Sequence, residues 1–437
     1  MPAGTPGVPL AIVGAGACGL TAALAACEFG IECVLIERDS SPRGSTALSS
    51  GFIPAAGTAV QRAAGVCDDS PERFAQDIQH KARGQAAEHL VRAYTEAIVP
   101  AIEMLSRHGL AFELLDGFLY PGHSARRMHT LPERSGLALM AALERAALAA
   151  GVTVLPQAQA TELWLDAEER VLGLGMTRPD GCVEHLACQA LLLACNGFGG
   201  NPELVAELLP EMRQAPFAGH AGNDGTAILW GRALGAGLAD LGGYQGHGSW
   251  AVPQGALITW ALMMEGGVQL NARGERFHDE TQGYSEAAVQ VLQQPGGVAW
   301  NVFDDRLLQL ARGFPDFRAA EAAGAVRSAS DLPALARVIG CETGALQASL
   351  QGTRLQAPWH AVRVTGALFH TQGGLAIDAR CHVLRADGRA LPNLLAAGGA
   401  ARGVSGNAVW GYLSGNGLLS AVAGGFIAAG SVSQIVK

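Results

Sequence analysis

The chain has 437 residues, of which 49% are hydrophobic and only 16% charged, and its formal net charge is −9. This length predicts two domains, each able to bury a large core. The acidic balance, without any basic run, argues against nucleic acid as a partner. The 58 glycines favour an α/β protein in which the backbone often approaches other backbone or a ligand closely.

The cysteines and the apolar stretches bear on the compartment. The nine cysteines form no CxxC pair and no spacing typical of a metal site, so we expect reduced packing residues. No Lys or Arg precedes the apolar N-terminal stretch, which argues against a secretory signal. The C-terminal stretch LLSAVAGGFIAAG is too short to span a bilayer. These features predict a soluble cytoplasmic protein without a membrane span.

The first predicted element is a glycine turn between a strand and a helix. LAIVGAGACGLTAALAACEFGIECVLIERD reads as a strand, a turn, an Ala/Leu-rich helix and a second strand that ends at Glu37. Gly14 permits the tight turn, Gly16 lets the backbone approach a pyrophosphate, and Gly19 allows close helix packing. The helix N-terminus offers N–H groups to phosphate oxygens, and Glu37 can accept hydrogen bonds from ribose hydroxyls. The stretch therefore predicts a dinucleotide site.

Helical and strand patterns alternate after this turn. Residues 59–115 have apolar positions three and four apart, which predicts helices, and 136–155 predicts a helix closed by Gly151 and followed by a strand. ATELWLDAEERVLGLGMTR and EHLACQALLLAC predict a hairpin that leads into a buried strand. ALLLACNGFGGN (190–201) lacks the spacing and the following acid of a second fingerprint. We therefore expect one bound dinucleotide.

The composition changes after about residue 235 and changes back after about 355. The middle region is rich in Gly, Gln, His and Trp and then in Ala and Leu, whereas HAVRVTGALFHTQGGLAIDARCHVL restores strand and turn signals. A final helix is predicted at about 416–430. This pattern predicts an insertion, with 1–238 and 357–437 forming a discontinuous first domain and 239–356 the inserted domain.

One segment, GERFHDETQGYSE (274–286), concentrates titratable side chains in a chain that is otherwise poor in charge. Charge clusters are usually structural ion pairs. We therefore expect Arg276 to pair with Asp279 or Glu280, and we treat Tyr284 separately below.

Several motifs, in this order, are similar to those of the flavoprotein family of fumarate reductase, succinate dehydrogenase, tricarballylate dehydrogenase and the ketosteroid dehydrogenases. Beyond the N-terminal turn they are RGSTALSSGFIPAAGT, LLLACNGFGGNPEL, GNDGTAILWGRALGAGLAD, GGVQLNARGERFHDE, ALFHTQGGLAID and LPNLLAAGGAARGVSGNAVWGYLSGNGLLSAVAGGFIAAG. The resemblance spans nearly the whole chain. It implies an α/β fold in which a Rossmann-type FAD-binding domain carries an inserted, smaller α+β substrate or capping domain.

The resemblance implies FAD as the cofactor. We expect noncovalent binding, because no histidine lies in the loop 43–58 to tether the flavin. The helix beginning near Gly415 would aim its N-terminus at the N1/C2=O edge of the flavin. The residues expected to bind FAD are Gly14, Gly16, Gly19, Glu37, Arg38, Ser45, Thr46, Ser50, Gly51, Ala160, Asn196, Gly197, Asp224, Gly398, Gly415, Asn416 and Leu418.

The chain departs from the fumarate reductases at three positions. Tyr284 stands where they place an arginine proton donor, Val409 where an arginine clamps a carboxylate, and Gly399 where the flavin loop carries an acid. Reduction of a plain C4-dicarboxylate is therefore not expected. The stretch WGYLSGNG is closer to the GYLAG segment of tricarballylate dehydrogenase, and tyrosines in the site are similar to those of ketosteroid dehydrogenases.

Moving two hydrogens between a C–C bond and FAD needs hydride transfer at N5 and proton transfer at the neighbouring carbon, which is acidic only beside a carbonyl or carboxylate. We expect Tyr284 to carry the proton, because a phenol whose pKa is lowered can do so more readily than a guanidinium. A core or lid tyrosine is the alternative. Tyr412 is expected to donate a hydrogen bond to the substrate carbonyl, or else to pack beneath the final helix.

Histidines and arginines complete the expected site. His370 and His247 match family positions that contact substrate oxygens, and core histidines are the alternative for both. The candidates for holding a substrate carboxylate are His129, Arg134 and Arg402.

These residues together predict an FAD-dependent oxidoreductase that desaturates a bond α,β to a carbonyl in a small or cyclic ketone or an organic acid. One alternative is a dehydrogenase or reductase of a polycarboxylate such as tricarballylate or fumarate. Another is a flavin-binding electron-transfer subunit without turnover. Because the sequence shows no heme-attachment or iron–sulfur spacing, we expect a separate electron acceptor such as oxygen, a quinone or a redox protein.

Overall fold

The computed structural model describes residues 1–2, 4–116 and 119–436. The strands are β1 (Gly7–Val13), β2 (Cys33–Ile36), β3 (Ile53–Pro54), β4 (Glu113–Leu114), β5 (Met128–Thr130), β6 (Thr153–Leu155), β7 (Gln159–Leu165), β8 (Val171–Thr177), β9 (Val183–Leu193), β10 (Leu238–Ala239), β11 (Tyr244–Ala251), β12 (Ala256–Leu257), β13 (Val268–Leu270), β14 (Val298–Asp304), β15 (Val326–Ala329), β16 (Trp359–Thr371), β17 (Gly374–Leu375), β18 (His382–Leu384) and β19 (Ala390–Ala396).

The α-helices are α1 (Ala17–Glu28), α2 (Gly44–Ala47), α3 (Ala59–Ala63), α4 (Pro71–Lys81), α5 (Glu88–Arg107), α6 (Gly136–Ala149), α7 (Pro202–Leu208), α8 (Thr226–Ala233), α9 (Ala261–Met264), α10 (Tyr284–Leu292), α11 (Asp305–Ala311), α12 (Pro315–Ala322), α13 (Leu332–Ile339), α14 (Thr343–Leu350) and α15 (Asn416–Ile435). Short 3₁₀ turns occur at Pro210–Met212, Pro295–Gly297, Gly398–Ala400 and Val409–Gly411.

The chain divides into two compact units. Unit 1 comprises Met1–Leu204, Gly219–Tyr244 and His370–Lys437, and unit 2 comprises Val205–Ala218 and Gln245–Phe369.

The main sheet of unit 1 has the strand order β18-β19-β9-β1-β2-β6, and β8 joins β9 to the hairpin partner β7. Its central strands β19, β9, β1, β2 and β6 run parallel. Parallel strands need crossover connections, and α1 makes the one between β1 and β2. The last four residues of β1 are buried, as expected for a parallel strand covered on both faces. The sequence prediction of a hairpin followed by a buried strand is confirmed by β7, β8 and the end of β9.

Two long helices pack on this sheet at close range. A Cβ added at Gly425 of α15 would lie 2.4 Å from the carbonyl oxygen of Cys18 in α1, so the two helix backbones nearly touch. The expectation that the C-terminal apolar stretch is too short to span a bilayer is wrong for the whole helix: among the described residues α15 is the one helix long and apolar enough, by length and composition alone, to cross a membrane. Of its most apolar window, 56% is buried inside the protein. It contacts α1 and α5 and serves as a core helix of unit 1.

The region predicted to be helical at 59–115 contains three separate helices, α3, α4 and α5, followed by the short strand β4. Glycines with positive φ interrupt the pattern at Gly65 and Gly84. A new helix starts at α4, where the side chain of Ser70 caps the backbone N–H of Arg73.

Unit 2 is built on a sheet of order β12-β11-β16-β14-β13. Residues 359–362 of β16 pair with β14 and also with β15, which therefore lies on the opposite side of β16. One apolar cluster of unit 2 includes Ile258, Leu262, Phe303, Phe317 and Val362.

Candidate functional site

The glycine turn of unit 1 is tight on one side and open on the other. Gly14 has φ +101°, and a Cβ there would lie 2.6 Å from the carbonyl oxygen of Ala194. A Cβ at Gly19 would lie 1.9 Å from the oxygen of Gly14, whereas one at Gly16 would meet nothing nearer than Thr46 Oγ1 at 4.0 Å. The open side is the N-terminus of α1, whose cap position is Gly16 itself. This geometry suits an anionic group on the helix N-terminus.

Glu37 is held at the end of β2 beside this turn. Its Oε2 accepts a hydrogen bond from the N–H of Ala15 at 2.9 Å, and its Oε1 accepts one from Asp39 at 3.0 Å. Only 9% of the residue is exposed. A carboxylate oxygen has more than one acceptor position, so each oxygen can still accept a hydroxyl.

The residue whose backbone N–H contacts Glu37 is Ala158, which was not among the predicted site residues. The N–H of Ala158 donates to the carbonyl oxygen of Glu37 at 2.8 Å, whereas the predicted Ala160 pairs with Met176 inside the β7–β8 hairpin. Both alanines belong to the stretch QAQA and alternate onto the same side of an extended chain. No residue-type signal separates them, and only the hydrogen bond identifies Ala158.

A strap of residues 219–224 is tied to the loop after β2. Ser45 Oγ accepts hydrogen bonds from the backbone N–H of His220 at 3.2 Å and from Asn223 Nδ2 at 2.9 Å. Arg38 forms an ion pair with Asp224, with Nη1 and Oδ2 separated by 3.3 Å. The predicted residues Arg38, Ser45 and Asp224 are thus brought together, and His220 and Asn223 are additional members.

The remaining predicted residues of this loop differ in their surroundings. Thr46 Oγ1 accepts a hydrogen bond from the N–H of Ala17, at the N-terminus of α1, at 3.4 Å. Gly51 has φ +70° and packs backbone to backbone on Ser135, and Ser50 is exposed. Thr46 and Gly51 therefore shape the loop, while the Ser50 side chain lies at the surface.

The N-terminus of α15 has the same one-sided openness as that of α1. The cap residue Gly415 has φ +90°, and a Cβ there would lie 2.7 Å from Pro54 Cδ. A Cβ at Gly417, in the first turn, would meet nothing nearer than Gln372 Nε2 at 3.7 Å. Because a glycine cap has no side chain, the first N–H groups of α15 are available to an acceptor outside the helix.

A chain of directed hydrogen bonds runs from α15 to His370. Asn416 Nδ2 donates to Ser405 Oγ at 3.0 Å, and Ser405 donates to Gln372 Oε1 at 3.0 Å. The other amide atom, Gln372 Nε2, lies 2.7 Å from His370 Nδ1. Since an amide nitrogen only donates, His370 Nδ1 accepts and the ring proton resides on Nε2. We call these four residues the His370 relay.

His370 and Asn196 fill the space beside Gly399. A Cβ at Gly399 would lie 2.1 Å from Asn196 Oδ1 and 2.8 Å from His370 Nε2. A Cβ at the neighbouring predicted residue Gly197 would lie 1.9 Å from Thr371 Oγ1. The acid that the family carries at position 399 therefore has no room here, and His370 presents its Nε2 at that place instead. Gly398 begins the 3₁₀ turn that carries position 399, with φ +61°.

The three residues expected to bind a carboxylate have other partners or lie at the surface. His129 is fully buried, with Nε2 at 2.7 Å from Thr58 Oγ1 and Nδ1 at 2.9 Å from the carbonyl oxygen of Arg127. Arg402 pairs with Asp240 through Nε and Oδ2 at 2.7 Å. Arg134 is exposed on the loop before α6.

A buried ionic network in unit 1 supports the start of α15, and the sequence reasoning missed it. Arg127 is 1% exposed and donates to both oxygens of Asp69 at 3.0 and 2.7 Å. It also contacts Asp77 and His123 Nδ1. His123 Nε2 lies 2.9 Å from the carbonyl oxygen of Ser414, next to the cap of α15. The network thus holds the WGYLSGNG loop, in which Tyr412 is 7% exposed.

The charged segment 274–286 of unit 2 is largely structural, as expected. Arg276 pairs with Glu280, with Nε and Oε1 separated by 3.1 Å, and Glu280 is 3% exposed. Glu280 Oε1 also accepts the N–H of Gln269 at 3.0 Å. Asp279 instead accepts from the hydroxyl and N–H of Thr281. The predicted ion pair is therefore confirmed for Glu280.

Tyr284 begins α10 and stacks on His247. The ring centroids are 4.9 Å apart with an interplanar angle of 17°. His247 Nδ1 accepts the N–H of Ser249 at 3.1 Å, which leaves the proton on Nε2. Burial lowers the pKa of His247 to about 3, so this histidine stays neutral at physiological pH. Unit 2 therefore offers a phenol and a neutral imidazole side by side.

We expect the protein to lose stability in acid because of its buried histidines. Burial lowers the pKa of His123, of His129 and of His370 to about 4 and that of His247 to about 3. In the unfolded chain a histidine takes up its proton near pH 6.5. Near pH 5 the unfolded state thus binds between about three and four more protons than the folded state, and stability falls by roughly 5 kcal/mol per pH unit as the pH decreases.

Urea unfolding of the holoprotein at pH 7, 6 and 5 measures this effect. The midpoint should fall most steeply below pH 6.5. A midpoint that stays constant from pH 7 to pH 5 would contradict the assignment of four neutral imidazoles.

The described residues of unit 1 fit FAD. The open faces at Gly16 and Gly417 expose two helix N-termini, which suit a pyrophosphate and an electron-rich ring edge. Glu37 supplies a fixed carboxylate for ribose hydroxyls. Within residues 1–2, 4–116 and 119–436, no group of three or more His, Cys, Asp or Glu side chains is arranged to hold a metal ion.

Comparison with known proteins shows similarity along almost the whole chain. Residues 10–418 match the family model described as FAD binding domain. A probable fumarate reductase of Shewanella frigidimarina is 26% identical over 442 aligned residues, which cover 97% of this chain and 74% of the relative.

Two solved structures are similar to the chain over 98% or more of its length. One is the open conformation of a flavocytochrome c3 fumarate reductase, with a TM-score of 0.86, 25% identity, and 99% of this chain and 79% of that chain covered. The other is the 3-ketosteroid-Δ4-(5α)-dehydrogenase of Rhodococcus jostii RHA1 in complex with 4-androstene-3,17-dione, with a TM-score of 0.77, 25% identity and coverage of 98% and 97%.

Proposed function

The chain belongs to the FAD-binding domain family and is an FAD-dependent oxidoreductase of the CH–CH group, and from this premise we propose that it desaturates a bond α,β to a carbonyl. The substrate is a small or cyclic ketone or an organic acid. One observation carries the proposal: Tyr284 lies against a neutral His247, where the resemblance to fumarate reductases leads one to expect an arginine. A neutral acid–base pair suits carbonyl chemistry better than the binding of a dicarboxylate.

In this proposal the residues of unit 1 bind the cofactor. The N-terminus of α1 would hold the pyrophosphate, Glu37 the ribose, and the first turn of α15 the flavin ring. FAD, when bound, accepts or donates the hydride. Close packing holds the two helix ends in place, because an added Cβ would lie 2.6 Å from the oxygen of Ala194 at Gly14 and 2.7 Å from Pro54 Cδ at Gly415.

The side chains then handle the proton and the substrate oxygen. Tyr284 first loses its phenolic proton to solvent and, as the phenolate, takes the proton from the carbon beside the carbonyl, while Tyr412, His247 and His370 donate hydrogen bonds to the oxygen on which negative charge develops. His370 can donate because its relay keeps the proton on Nε2. Burial lowers the pKa of His370 to about 4, so this donor is neutral above pH 5.

Replacement of Gln372 by glutamate should make the activity depend on pH. A carboxylate in place of the amide can still accept the proton of Ser405, but it requires a proton on His370 Nδ1. His370 then donates from Nε2 only as an imidazolium, whose pKa the new carboxylate raises. We expect kcat/KM of the variant to fall by about tenfold between pH 5 and 8, as a lost donor implies, while the wild-type profile shows no histidine ionisation in this range.

The conservative variant Gln372→Asn and the pH profile separate this role from simple packing. A shorter amide weakens the contacts without placing a proton on Nδ1, so its profile should remain flat. If Gln372→Glu also gives a flat profile, the relay does not act on His370.

Rapid mixing of the holoprotein with a panel of carbonyl compounds tests the proposed reaction. Ketones or acids with a hydrogen on each of the α and β carbons should bleach the FAD absorbance. Bleaching by none, together with reoxidation of reduced FAD by several enoates, would reverse the direction of the reaction. A protein that catalyses neither desaturation nor reduction would support the alternative of a non-catalytic flavoprotein. Gly399 and Val409, which stand where the fumarate reductases carry an acid and an arginine, favour that alternative.

A polycarboxylate substrate is the second candidate, favoured by the similarity to a probable fumarate reductase. In that reaction Arg134 holds a carboxylate. Since Arg134 is exposed, its replacement by alanine should leave the fold intact. Activity on tricarballylate that persists in Arg134→Ala would count against this version.

In this proposal a separate acceptor would take the electrons that the substrate gives up through FAD. The three classes of electron acceptor that we propose are oxygen, a quinone and a redox protein. The rate at which each reoxidises the bleached protein distinguishes them.

A further inference from the structure

A cluster of rings in unit 2 surrounds His247. The contacts join His247 to Tyr284 at 4.9 Å, to Phe369 at 5.6 Å and to Trp260 at 5.7 Å between ring centroids. Phe369 in turn meets Trp250 edge-on at 5.5 Å. We call these five residues the ring cluster. Aromatic residues make up only 6% of the chain, so four of them around one histidine is a local concentration.

The ring cluster contains no cationic side chain. Four of its members cannot become cationic, and the fifth, His247, keeps Nδ1 as an acceptor for the N–H of Ser249. Burying an anion against such a surface is unfavourable, because no cation in the cluster compensates for the lost hydration. Flat uncharged groups, in contrast, gain offset or edge-on contacts with the rings.

The cluster also contains a buried donor without a partner. Trp260 is 6% exposed, and its Nε1–H has no hydrogen-bond partner among the described residues. An unsatisfied buried donor costs about 1 to 3 kcal/mol. A ligand atom that accepts this hydrogen removes the cost, so the donor favours a ligand with a carbonyl oxygen or ring nitrogen. The half-buried rings of Tyr284, Phe369 and Trp250 leave surface for that ligand.

We propose that the ring cluster is a substrate subsite for a flat, uncharged ring that carries one hydrogen-bond acceptor, with Trp260 as its donor and as the residue that sets specificity. The inference rests on the proposed function and narrows its substrate class from ketones and acids in general to cyclic, conjugated carbonyl compounds. Carboxylates are disfavoured at this subsite. The subsite thus selects its ligand by shape and by absence of charge.

Binding of compounds that cannot react tests the subsite independently of turnover. Acetophenone has a flat ring and a ketone but no α,β CH–CH bond to desaturate. Benzoate keeps the ring and adds a charge, and 3,3-dimethylbutan-2-one keeps the ketone without a flat ring. The holoprotein is titrated with each compound, and binding is followed by tryptophan fluorescence and by calorimetry. The Kd of acetophenone should be about tenfold lower than that of either comparison compound, because a tenfold change in Kd corresponds to the loss of one hydrogen bond or stacking contact.

Two tryptophans allow a matched pair of variants. Trp260→Phe keeps a ring but removes the N–H, and it should weaken acetophenone binding about tenfold, since 1.4 kcal/mol corresponds to that factor. Trp359→Phe is the control, because Trp359 Nε1 is also buried without a partner but, among the described residues, its ring does not contact those of the ring cluster. This variant should bind acetophenone as tightly as the wild type does. Phe369→Leu, which removes one ring and no donor, should weaken acetophenone more than 3,3-dimethylbutan-2-one.

Each result supports or overturns the subsite. Benzoate binding as tightly as acetophenone, or a folded Trp260→Phe protein with unchanged affinity, overturns it. If Trp260→Phe does not fold, Phe369→Leu and the ligand series decide. If acetophenone binds as expected but the protein desaturates no compound, the proposed function is refuted and the subsite is supported. If ringless and cyclic ketones bleach the FAD absorbance equally fast, the subsite is refuted and the proposed function is supported.

Discussion

Replacement of Tyr284 by phenylalanine should lower the rate at which substrate bleaches bound FAD by a factor of about 10² to 10⁴, the usual contribution of a positioned acid–base group. The variant keeps the ring that stacks on His247 at 4.9 Å, so the packing of unit 2 is preserved. Only the proton acceptor is lost. Rapid mixing at saturating substrate isolates this step, and FAD content and substrate Kd should match those of the wild type.

A second tyrosine provides the control. Tyr120 lies in unit 1 with its ring edge-on to Phe52 at 6.2 Å, and Tyr120→Phe should leave the bleaching rate unchanged. A Tyr284→Phe rate within about threefold of the wild type would assign Tyr284 to packing, because such a change lies far below the effect of an acid–base group. Tyr412→Phe would then be the next variant to examine.

Replacement of Gly16 by valine should give a folded protein that does not retain FAD. Gly16 has φ −72° and ψ −172°, which any residue can adopt, and no protein atom lies within contact of an added Cβ except Thr46 Oγ1 at 4.0 Å. The valine side chain should therefore clash only with a ligand at the N-terminus of α1, where we expect the pyrophosphate of FAD. We expect the FAD affinity to fall at least about 100-fold, or roughly 2.7 kcal/mol, and the urea midpoint of the FAD-free protein to stay near that of the wild type.

Two other glycines separate lost binding from lost folding. Gly14→Ala should destabilise the protein itself, because its Cβ would lie 2.6 Å from the backbone of Ala194. Gly30→Ala meets nothing within 4 Å and bears only the strain of φ +70°, about 1 to 2 kcal/mol. Full FAD occupancy in Gly16→Val would place the pyrophosphate elsewhere than at the N-terminus of α1.

The sequence was most informative where the chain must obey local backbone rules. The glycines at 14 and 19 are required because any Cβ there would overlap backbone, and such a requirement leaves a readable spacing. The α/β fold class and FAD as cofactor were predicted from this spacing and the motifs after it, and the family match and the similar structures confirm both. The charge cluster predicted an ion pair of Arg276 with Asp279 or Glu280, and the tertiary structure selects Glu280.

Long-range hydrogen bonds were beyond the reach of sequence reasoning. Ala158 differs from Ala160 only in what its N–H contacts, and Gln372 reads as an ordinary residue of the FHTQGG motif. Its role arises because Ser405 and Asn416 reach it from distant parts of the chain and orient its amide. The roles of the site residues themselves stay predictions.

Spacing alone determined the glycine turn, the strand and helix alternation and the dinucleotide site, because these depend on neighbours within about one supersecondary unit. The choice of FAD came from the resemblance carried by the later motifs. Tertiary structure decided the rest: which tautomer His370 adopts, that Asp240 neutralises Arg402, and that Trp260 joins Tyr284 around a neutral His247. A proton's position and a ring's surroundings depend on side chains that the sequence separates and folding brings within hydrogen-bond or van der Waals range.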